Sequence, residues 1–216
     1  MEEYETVERM ANESLDIVIP KLAEEYDLEL HKPSISISIY EYMHDMGRFI
    51  PTGTYGLIKL QEEACTPKLE CCGTASHEMG HAAIYQNCPN YQENYNSNVD
   101  FELDFLEEGI SQKFMKKGLK FLKDEKYLSK YDFYSNVIVS STFRKVLKEF
   151  LFPNVYIIGE MIIDHYDKKG VSIKRLIISP EEFKEDLKNN WKKMVKPQSR
   201  PAIKLYEKVW NYLNSI

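Results

Sequence analysis

The run His77-Glu-Met-Gly-His81 has the residue types and the spacing of a metal site that activates water. In an α-helix, residues four apart share one face, about 40° apart around the axis and ~6 Å apart along it. The imidazoles of His77 and His81 can therefore bind one zinc ion between them. Glu78 lies about 100° further round the helix. From there it can take a proton from a water on that ion, which makes it the candidate general base.

A zinc ion in a catalytic site has three protein ligands and an open fourth position, so a third ligand must come from elsewhere in the chain. Only three other histidines exist, at positions 31, 44 and 165. The metzincin pattern needs Gly and His three and six residues after the second ligand, where this chain has Ile84 and Asn87. The expected third ligand is therefore a downstream carboxylate on a second helix.

The segment 101–112 offers four carboxylates for this role. They are Glu102, Asp104, Glu107 and Glu108. In a helix, the apolar residues at 106, 110 and 114 form an inward face, and Glu108 lies among them better than Glu102 does. The neighbouring Gly109 allows another helix to approach closely at that point. Any one of these carboxylates can instead be a solvated surface residue, and for Glu107 this is the preferred interpretation.

The elements that must position these residues predict an α+β fold, with a small mixed sheet early in the chain and helices after it. Residues 33–40 alternate between apolar and polar positions, which predicts a strand with one buried face. Residues 55–60 are a second strand candidate. Residues 41–54 contain Gly and Pro and are expected to form a loop.

Helical periodicity covers most of the remaining chain. The first helix, over 5–26, contains Pro20, which is expected to bend or split it. The helix of the histidine motif is expected to begin after Gly73 and to end at about residue 87, before Cys88-Pro89. Further helices are expected over residues 101–123, 138–150, 154–168, 171–177, 181–194 and 202–214.

Composition indicates a globular protein, since 43% of the residues are apolar, 29% are charged and the net charge is -6. No apolar run reaches the length of a membrane helix, and the acidic N-terminus lacks the apolar core of a signal peptide. A soluble cytoplasmic protein without a membrane partner is expected. The four cysteines do not match a disulfide framework or a zinc ribbon, so we expect reduced and mostly buried thiols.

Charge is distributed unevenly along the chain, with an acidic first half and a basic second half. Opposite net charges attract the two halves of the chain to each other, which is consistent with two subdomains on either side of one cleft. We expect an N-terminal subdomain over 1–100 with the sheet and the motif helix, and a helical C-terminal subdomain over 101–216 with the Glu ligand. The lysines of the second half recur at helical spacing among apolar residues, so no nucleic-acid partner is expected.

Residues 55–168 resemble the gluzincin metallopeptidases, the thermolysin-like and aminopeptidase-like zincins of the peptidase MA group. Three blocks match in order, and the histidine motif is the first. The second, Phe105-Leu-Glu-Glu-Gly-Ile-Ser111, is similar to a segment whose Glu before Gly is the third zinc ligand, which corresponds to Glu108. The third, over 155–166, resembles a helix whose Tyr hydrogen-bonds the oxyanion of the tetrahedral intermediate, which corresponds to Tyr156. The resemblance implies a zincin-like catalytic domain with one zinc ion per chain.

The chain departs from the family pattern in the segment that orients the metal ligands. Thermolysin-like members have an Asp four residues after the Glu ligand, where this chain has Gln112. Asp104 is the other local candidate for an acceptor on a metal-bound histidine. The resemblance also makes residues 55–60 the edge strand above the cleft, which would bind an extended peptide. The substrate-anchoring segment of the aminopeptidase-like members is missing, which disfavours an exopeptidase.

Two further hypotheses concern residues near these blocks. Cys71 or Cys72, just before the histidine motif, can occupy the open zinc position and hold an enzyme latent, because a thiolate is an excellent zinc ligand. His165 is an alternative oxyanion donor, although a satisfied surface or core histidine is the preferred interpretation.

The sequence thus predicts a zinc metallopeptidase that hydrolyses peptide bonds in a peptide or protein substrate. The predicted site residues are the metal ligands His77, His81 and Glu108, the general base Glu78 and the oxyanion donor Tyr156. The alternative is a catalytically inactive zinc-binding protein of gluzincin type that acts as a binding or regulatory module.

Overall fold

The structure is a computed structural model that describes residues 4–38, 46–65, 68–91, 101–129 and 153–194. Its fold class is α+β, as predicted. The strands are β1 (Ser34–Ser38), β2 (Gly47–Ile50) and β3 (Leu57–Gln61). The helices are α1 (Tyr4–Tyr26), α2 (Glu62–Cys65), α3 (Lys68–Asn87), α4 (Phe101–Asp124), α5 (Pro153–Lys168), α6 (Ile173–Ile178) and α7 (Glu181–Met194). The helices predicted at 138–150 and 202–214 lie outside the described residues.

The sheet is mixed and has the strand order β1-β3-β2. β1 pairs with β3 in parallel, and β2 pairs with β3 antiparallel. The prediction that residues 55–60 form an edge strand is therefore wrong, because β3 is the central strand. The edge strand β2 lies in the segment predicted as a loop. Its four residues are too few to show a period of two, and its conformation depends on pairing with β3.

Helix α1 runs without a break from Tyr4 to Tyr26, so the predicted split at Pro20 does not occur. Pro20 lies on the exposed side of the helix. The apolar side chains on the opposite side, such as Leu15, Val18 and Leu22, are fully buried. Their burial offsets the backbone hydrogen bond that a proline inside a helix removes.

Helix α3 begins at Lys68, so the predicted start after Gly73 is wrong. Glycine is less favourable in a helix than alanine by about 1 kcal/mol. The burial of Cys71, Cys72 and Ala75 against the rest of the core outweighs this preference. The predicted end of the helix, before Cys88, is confirmed.

One hydrophobic core includes residues from both predicted subdomains. Val18 and Ile58 come from the first part of the chain, and Phe114 and Leu187 come from the second. The division at residue 100 and a cleft between two subdomains remain predictions. None of the helices in the described ranges combines the length and the apolar character needed to cross a membrane.

Glycines allow α3, α4 and α5 to cross at backbone contact distance. A Cβ atom at Gly80 in α3 would overlap the Cα atom of Ser111 in α4. A Cβ atom at Gly109 in α4 would overlap the backbone of Gly159 in α5, and one at Gly159 would overlap the backbone of α4. The close helix approach predicted at Gly109 is confirmed, and its partner is α5. These contacts set the spacing of the three helices that carry the predicted site residues.

Gly80→Ala should lower the free energy of unfolding by about 1–3 kcal/mol, because the added methyl group pushes α3 away from α4. Gly73→Ala in the same helix is the matched control, since its added Cβ meets no atom closer than 3.8 Å. Alanine should there stabilise the protein by roughly 0.5–1 kcal/mol. Urea unfolding followed by circular dichroism measures both variants. An unchanged midpoint for Gly80→Ala would show that the backbone does not limit this crossing.

Candidate metal centre

His77 and His81 extend from α3 toward Glu108 of α4. The Nε2 atom of His77 lies 3.3 Å from the Nε2 atom of His81 and 3.3 Å from Oε2 of Glu108. The Nε2 atom of His81 lies 3.8 Å from Oε1 of Glu108. Among the described residues, these three side chains are the only group of three or more metal-ligating types whose ligand atoms come together, all within 4.8 Å. The structure thus brings together the three ligands that the sequence predicted.

The donor atoms have the spacing that a small divalent cation requires. Ligand atoms at about 2.0–2.1 Å from a tetrahedral zinc ion lie roughly 3.3 Å from one another. The two Nε2 atoms lie 3.3 Å apart, Oε2 of Glu108 lies 3.3 Å from Nε2 of His77, and Oε1 of Glu108 lies 3.8 Å from Nε2 of His81. When one atom is taken from each side chain, all three lie within 4.8 Å of one another. Oε2 of Glu108 is buried without a well-formed hydrogen bond from the described residues, a cost that a bound cation would remove. The chemistry of the donor set and its geometry therefore fit a metal ion.

Carboxylates surround the two imidazoles and favour positive charge between them. Burial alone would lower the pKa of His81, but the charges of Glu108 and Glu107 outweigh burial and raise this pKa above its ordinary value. Burial would raise the pKa of Glu108, but the imidazoles of His81 and His77 lower it overall. The carboxylate of Glu108 is thus held ionised, which is the form that binds a metal.

The second ring nitrogen of each histidine has a polar side chain of α4 beside it. Nδ1 of His81 lies 2.8 Å from Oε1 of Glu107, and the amide of Gln112 lies 3.4 Å from Nδ1 of His77. The side chain of Glu107 is only 15% exposed. The expectation that Glu107 is a solvated surface residue is therefore wrong. It is largely shielded from solvent because α3 crosses α4 so closely that the histidines cover two successive residues of α4.

Glu78 is 5% exposed and lies against the edge strand β2. The backbone N–H of Phe49 in β2 donates a hydrogen bond to its carboxylate. Burial raises the pKa of Glu78, and the two neighbouring imidazoles oppose this shift only in part. A side chain at Gly47 would overlap Thr74 of α3, so glycine is what allows β2 to lie this close. The predicted general base is thus held next to the metal centre by a strand that the sequence did not reveal.

Helix α5 brings Tyr156 to the metal centre. The ring of Tyr156 lies edge-on to the ring of His77, with 5.5 Å between the ring centroids. Gly159 lies almost one turn further along the same helix, where it contacts Gly109 of α4. The crossing of α4 and α5 therefore determines how near Tyr156 comes to the ligands. The structure places the predicted oxyanion donor beside the predicted site, and its role as a donor remains a proposal.

Two other histidines lie outside the ligand group. His31 stacks on Tyr55, with 4.3 Å between the ring centroids. His165 contacts Tyr166 edge-on at 5.7 Å. This contact agrees with the preferred interpretation of His165 as a packing residue. His44 lies outside the described residues.

All four cysteines lie within the described residues, where they are buried and form no disulfide, as predicted. The thiol of Cys71 lies 3.5 Å from the carbonyl oxygen of Val7 in α1, and burial raises its pKa. No cysteine belongs to the ligand group among the residues described. The hypothesis that Cys71 or Cys72 occupies the open metal position is therefore contradicted.

Comparison of the chain with protein-family models, with curated protein sequences and with solved structures finds no match. The gluzincin resemblance therefore depends on the three sequence blocks, and membership of that family and a zincin-like fold stay predictions.

Sequence reasoning missed two parts of the site, Glu107 and the backbone N–H of Phe49. A signal for Glu107 exists, because a metal-bound histidine needs an acceptor on its second nitrogen and Glu107 adjoins the predicted ligand. No comparable signal marks Phe49, since its contribution comes from the main chain. Every residue except proline has a backbone N–H, so residue type does not reveal which one contacts Glu78.

His77→Ala and Glu108→Gln should each abolish stoichiometric zinc binding. Loss of a ligand should cost more than the roughly 10- to 100-fold in affinity that loss of a hydrogen-bonding partner of a ligand costs. Metal analysis after dialysis, together with competition against a chromophoric chelator, measures this. His165→Ala is the control and should keep one zinc ion per chain. Full zinc content in Glu108→Gln would instead make Glu107 the ligand.

Proposed function

We propose that the protein is a metal-dependent hydrolase of peptide bonds in which His77, His81 and Glu108 hold one zinc ion. The observation that carries this proposal is the convergence of three donors beside a buried acidic residue, Glu78, that is not among them. A structural zinc site has four protein ligands, whereas three ligands and an open position are typical of catalysis. When bound, the zinc ion would acidify a water molecule and polarise the substrate carbonyl group.

Glu78 acts in this proposal as the general base that takes the proton of the attacking water. A base needs a pKa that lies near the working pH, and burial raises the pKa of Glu78 in that direction. The hydrogen bond from the Phe49 N–H fixes the carboxylate in position. The same group can then return that proton to the nitrogen of the departing amine, so that the C–N bond breaks and leaves a neutral amine and a carboxylic acid, which ionises by releasing its proton to solvent.

Tyr156 supplies a hydrogen bond to the oxyanion that develops as the carbonyl carbon becomes tetrahedral. A tyrosine hydroxyl has an ordinary pKa of about 10, so it is protonated at neutral pH and can donate. The contact with the His77 ring is the support for this role, because it puts the tyrosine on the metal side of α5. A donor that is already in place when the charge appears stabilises the transition state more than the substrate.

The outer edge of β2 is the place for an extended peptide in this proposal. β3 is bonded to a strand on each side, whereas β2 is bonded to β3 alone within the described sheet. An extended peptide can add to such an edge through main-chain hydrogen bonds. The Phe49 N–H, which reaches Glu78, puts this edge beside the general base. The strand predicted for this role was β3, and the sheet order transfers the role to β2.

Glu78→Gln should lower kcat by about 10²- to 10⁴-fold while zinc stays bound, because the amide cannot take a proton. Cleavage of a mixed peptide library, read by mass spectrometry, measures turnover and reveals the side-chain preference. Glu70→Gln in the first turn of α3 is the matched control and should leave kcat unchanged. Full turnover by Glu78→Gln would remove Glu78 from the mechanism. Failure of the wild type to cleave any peptide, with one zinc ion bound, would support the inactive zinc-binding alternative.

Tyr156→Phe should reduce kcat by about 10²-fold with little change in KM, because the lost hydrogen bond forms mainly in the transition state. Tyr166→Phe is the control on the same helix. The hydroxyl of Tyr166 bonds to Asp186 at 3.1 Å, so its loss should affect unfolding and not kcat. Steady-state kinetics on one peptide that the library test identifies as a substrate gives kcat and KM for both variants and the wild type. Equal kcat values for Tyr156→Phe and the wild type would show that another group stabilises the oxyanion.

A further inference from the structure

We propose that Glu107 is the positioning residue of the metal centre and that it fixes the imidazole of His81 through a charged hydrogen bond. This inference rests on the metal site of the proposed function, but it does not require that the protein cleave peptides. It goes beyond the predicted ligand set, in which Glu107 had no role. It also differs from the thermolysin-like pattern, which has the charged acceptor at the position of Gln112.

The geometry determines which nitrogen of His81 carries a proton. Nε2 faces His77 and Glu108 and must be free of a proton to bind a metal. Nδ1 then carries the proton and donates to Oε1 of Glu107, 2.8 Å away. A hydrogen bond to an ionised acceptor is about twice as strong as one between neutral groups. The side chain of Glu107 is only 15% exposed, so water competes little for this hydrogen bond.

The partner of the other histidine is weaker in two respects. The amide nitrogen Nε2 of Gln112, which can only donate, lies 3.4 Å from Nδ1 of His77, at the limit of a hydrogen bond. An amide is also neutral, and only its oxygen can accept from a protonated Nδ1. The site is therefore asymmetric, with a carboxylate on His81 and an amide on His77. The charged partner belongs to position 107, one residue before the ligand, and not to position 112, four residues after it.

Glu107 and Glu108 are adjacent in α4, and this adjacency affects the orientation of the His81 ring. Successive residues of a helix point about 100° apart, so two neighbouring carboxylates can lie near the two different nitrogens of one imidazole ring. Glu108 faces Nε2 of His81 while Glu107 faces Nδ1. The hydrogen bond to Glu107 thus holds the His81 ring at Nδ1, and Glu108 lies near its Nε2. The orientation of the ring toward the metal is set before the metal binds, which reduces the ordering cost of binding.

The test measures the dissociation constants of Zn²⁺ and Co²⁺ by competition with a chelator. Glu107→Gln should weaken binding by about 10-fold and Glu107→Ala by about 10- to 100-fold, because the ring loses its charged acceptor. Gln112→Ala should weaken binding less than Glu107→Ala does. Glu125→Gln makes the same charge change just beyond the C-terminal end of α4, about 25 Å from Glu107, and should have no effect.

The visible absorption of bound Co²⁺ separates positioning from general folding stability. The band positions and intensities should change in Glu107→Ala, because the ring of one ligand is no longer held in one orientation. They should stay as in the wild type in Glu125→Gln. If Glu107→Ala does not fold, the nearly isosteric Glu107→Gln is compared with the wild type instead, by its metal affinity and its Co²⁺ spectrum.

Affinities of both Glu107 variants within twofold of the wild type would overturn the inference. Equal losses in Glu107→Ala and Gln112→Ala, or an unchanged Co²⁺ spectrum in both Glu107 variants, would overturn it as well. A wild type that binds no divalent metal would overturn this inference and the proposed function together. Tight metal binding that depends on Glu107, without any peptide cleavage, would overturn only the proposed hydrolysis.

Discussion

Helices α3 and α4 cross so closely that no side chain fits at Gly80, which lies between the two histidines and contacts Ser111. Only at this separation can the short side chain of Glu108 reach the Nε2 atoms on α3. The hydroxyls of Ser76 and Ser111 lie in the same crossing, fully buried and without a hydrogen-bond partner among the described residues. A buried hydroxyl without a partner costs free energy, so the packing of the two helices outweighs that cost here.

The remaining parts of the site are arranged around this crossing. Gly109 and Gly159 bring α5 against α4, which places Tyr156 beside His77. On the other side of α3, Gly47 allows β2 to approach, and the Phe49 N–H reaches Glu78. Glycine recurs at these contacts because a Cβ would overlap backbone atoms at Gly109 and Gly159 and the side chain of Thr74 at Gly47. The candidate metal ligands, the proposed general base and Tyr156 thus depend on one set of close approaches.

Much of the chemistry could be predicted because it is encoded in local spacing. His77 and His81 share a face of any helix that contains them, so their convergence needs no knowledge of the rest of the fold. Glu108 was recognisable because it lies among apolar residues that must face inward, and Gly109 because it allows close approach. Two predictions about the sheet were wrong: β2 was interpreted as a loop, and β3 as an edge strand. Strand order is a long-range property that four or five residues do not contain.

The sequence by itself determined the set of donor types, their order along the chain and the faces of the helices on which they lie. These properties follow from the period of the α-helix, which is the same in every fold. The tertiary structure decided that Glu107 is buried against His81, that Gln112 lies at His77, and that β2 contacts Glu78. Each of these depends on the distance between two elements that are far apart in sequence. That distance is set by side-chain volume at the crossing, which no single segment specifies.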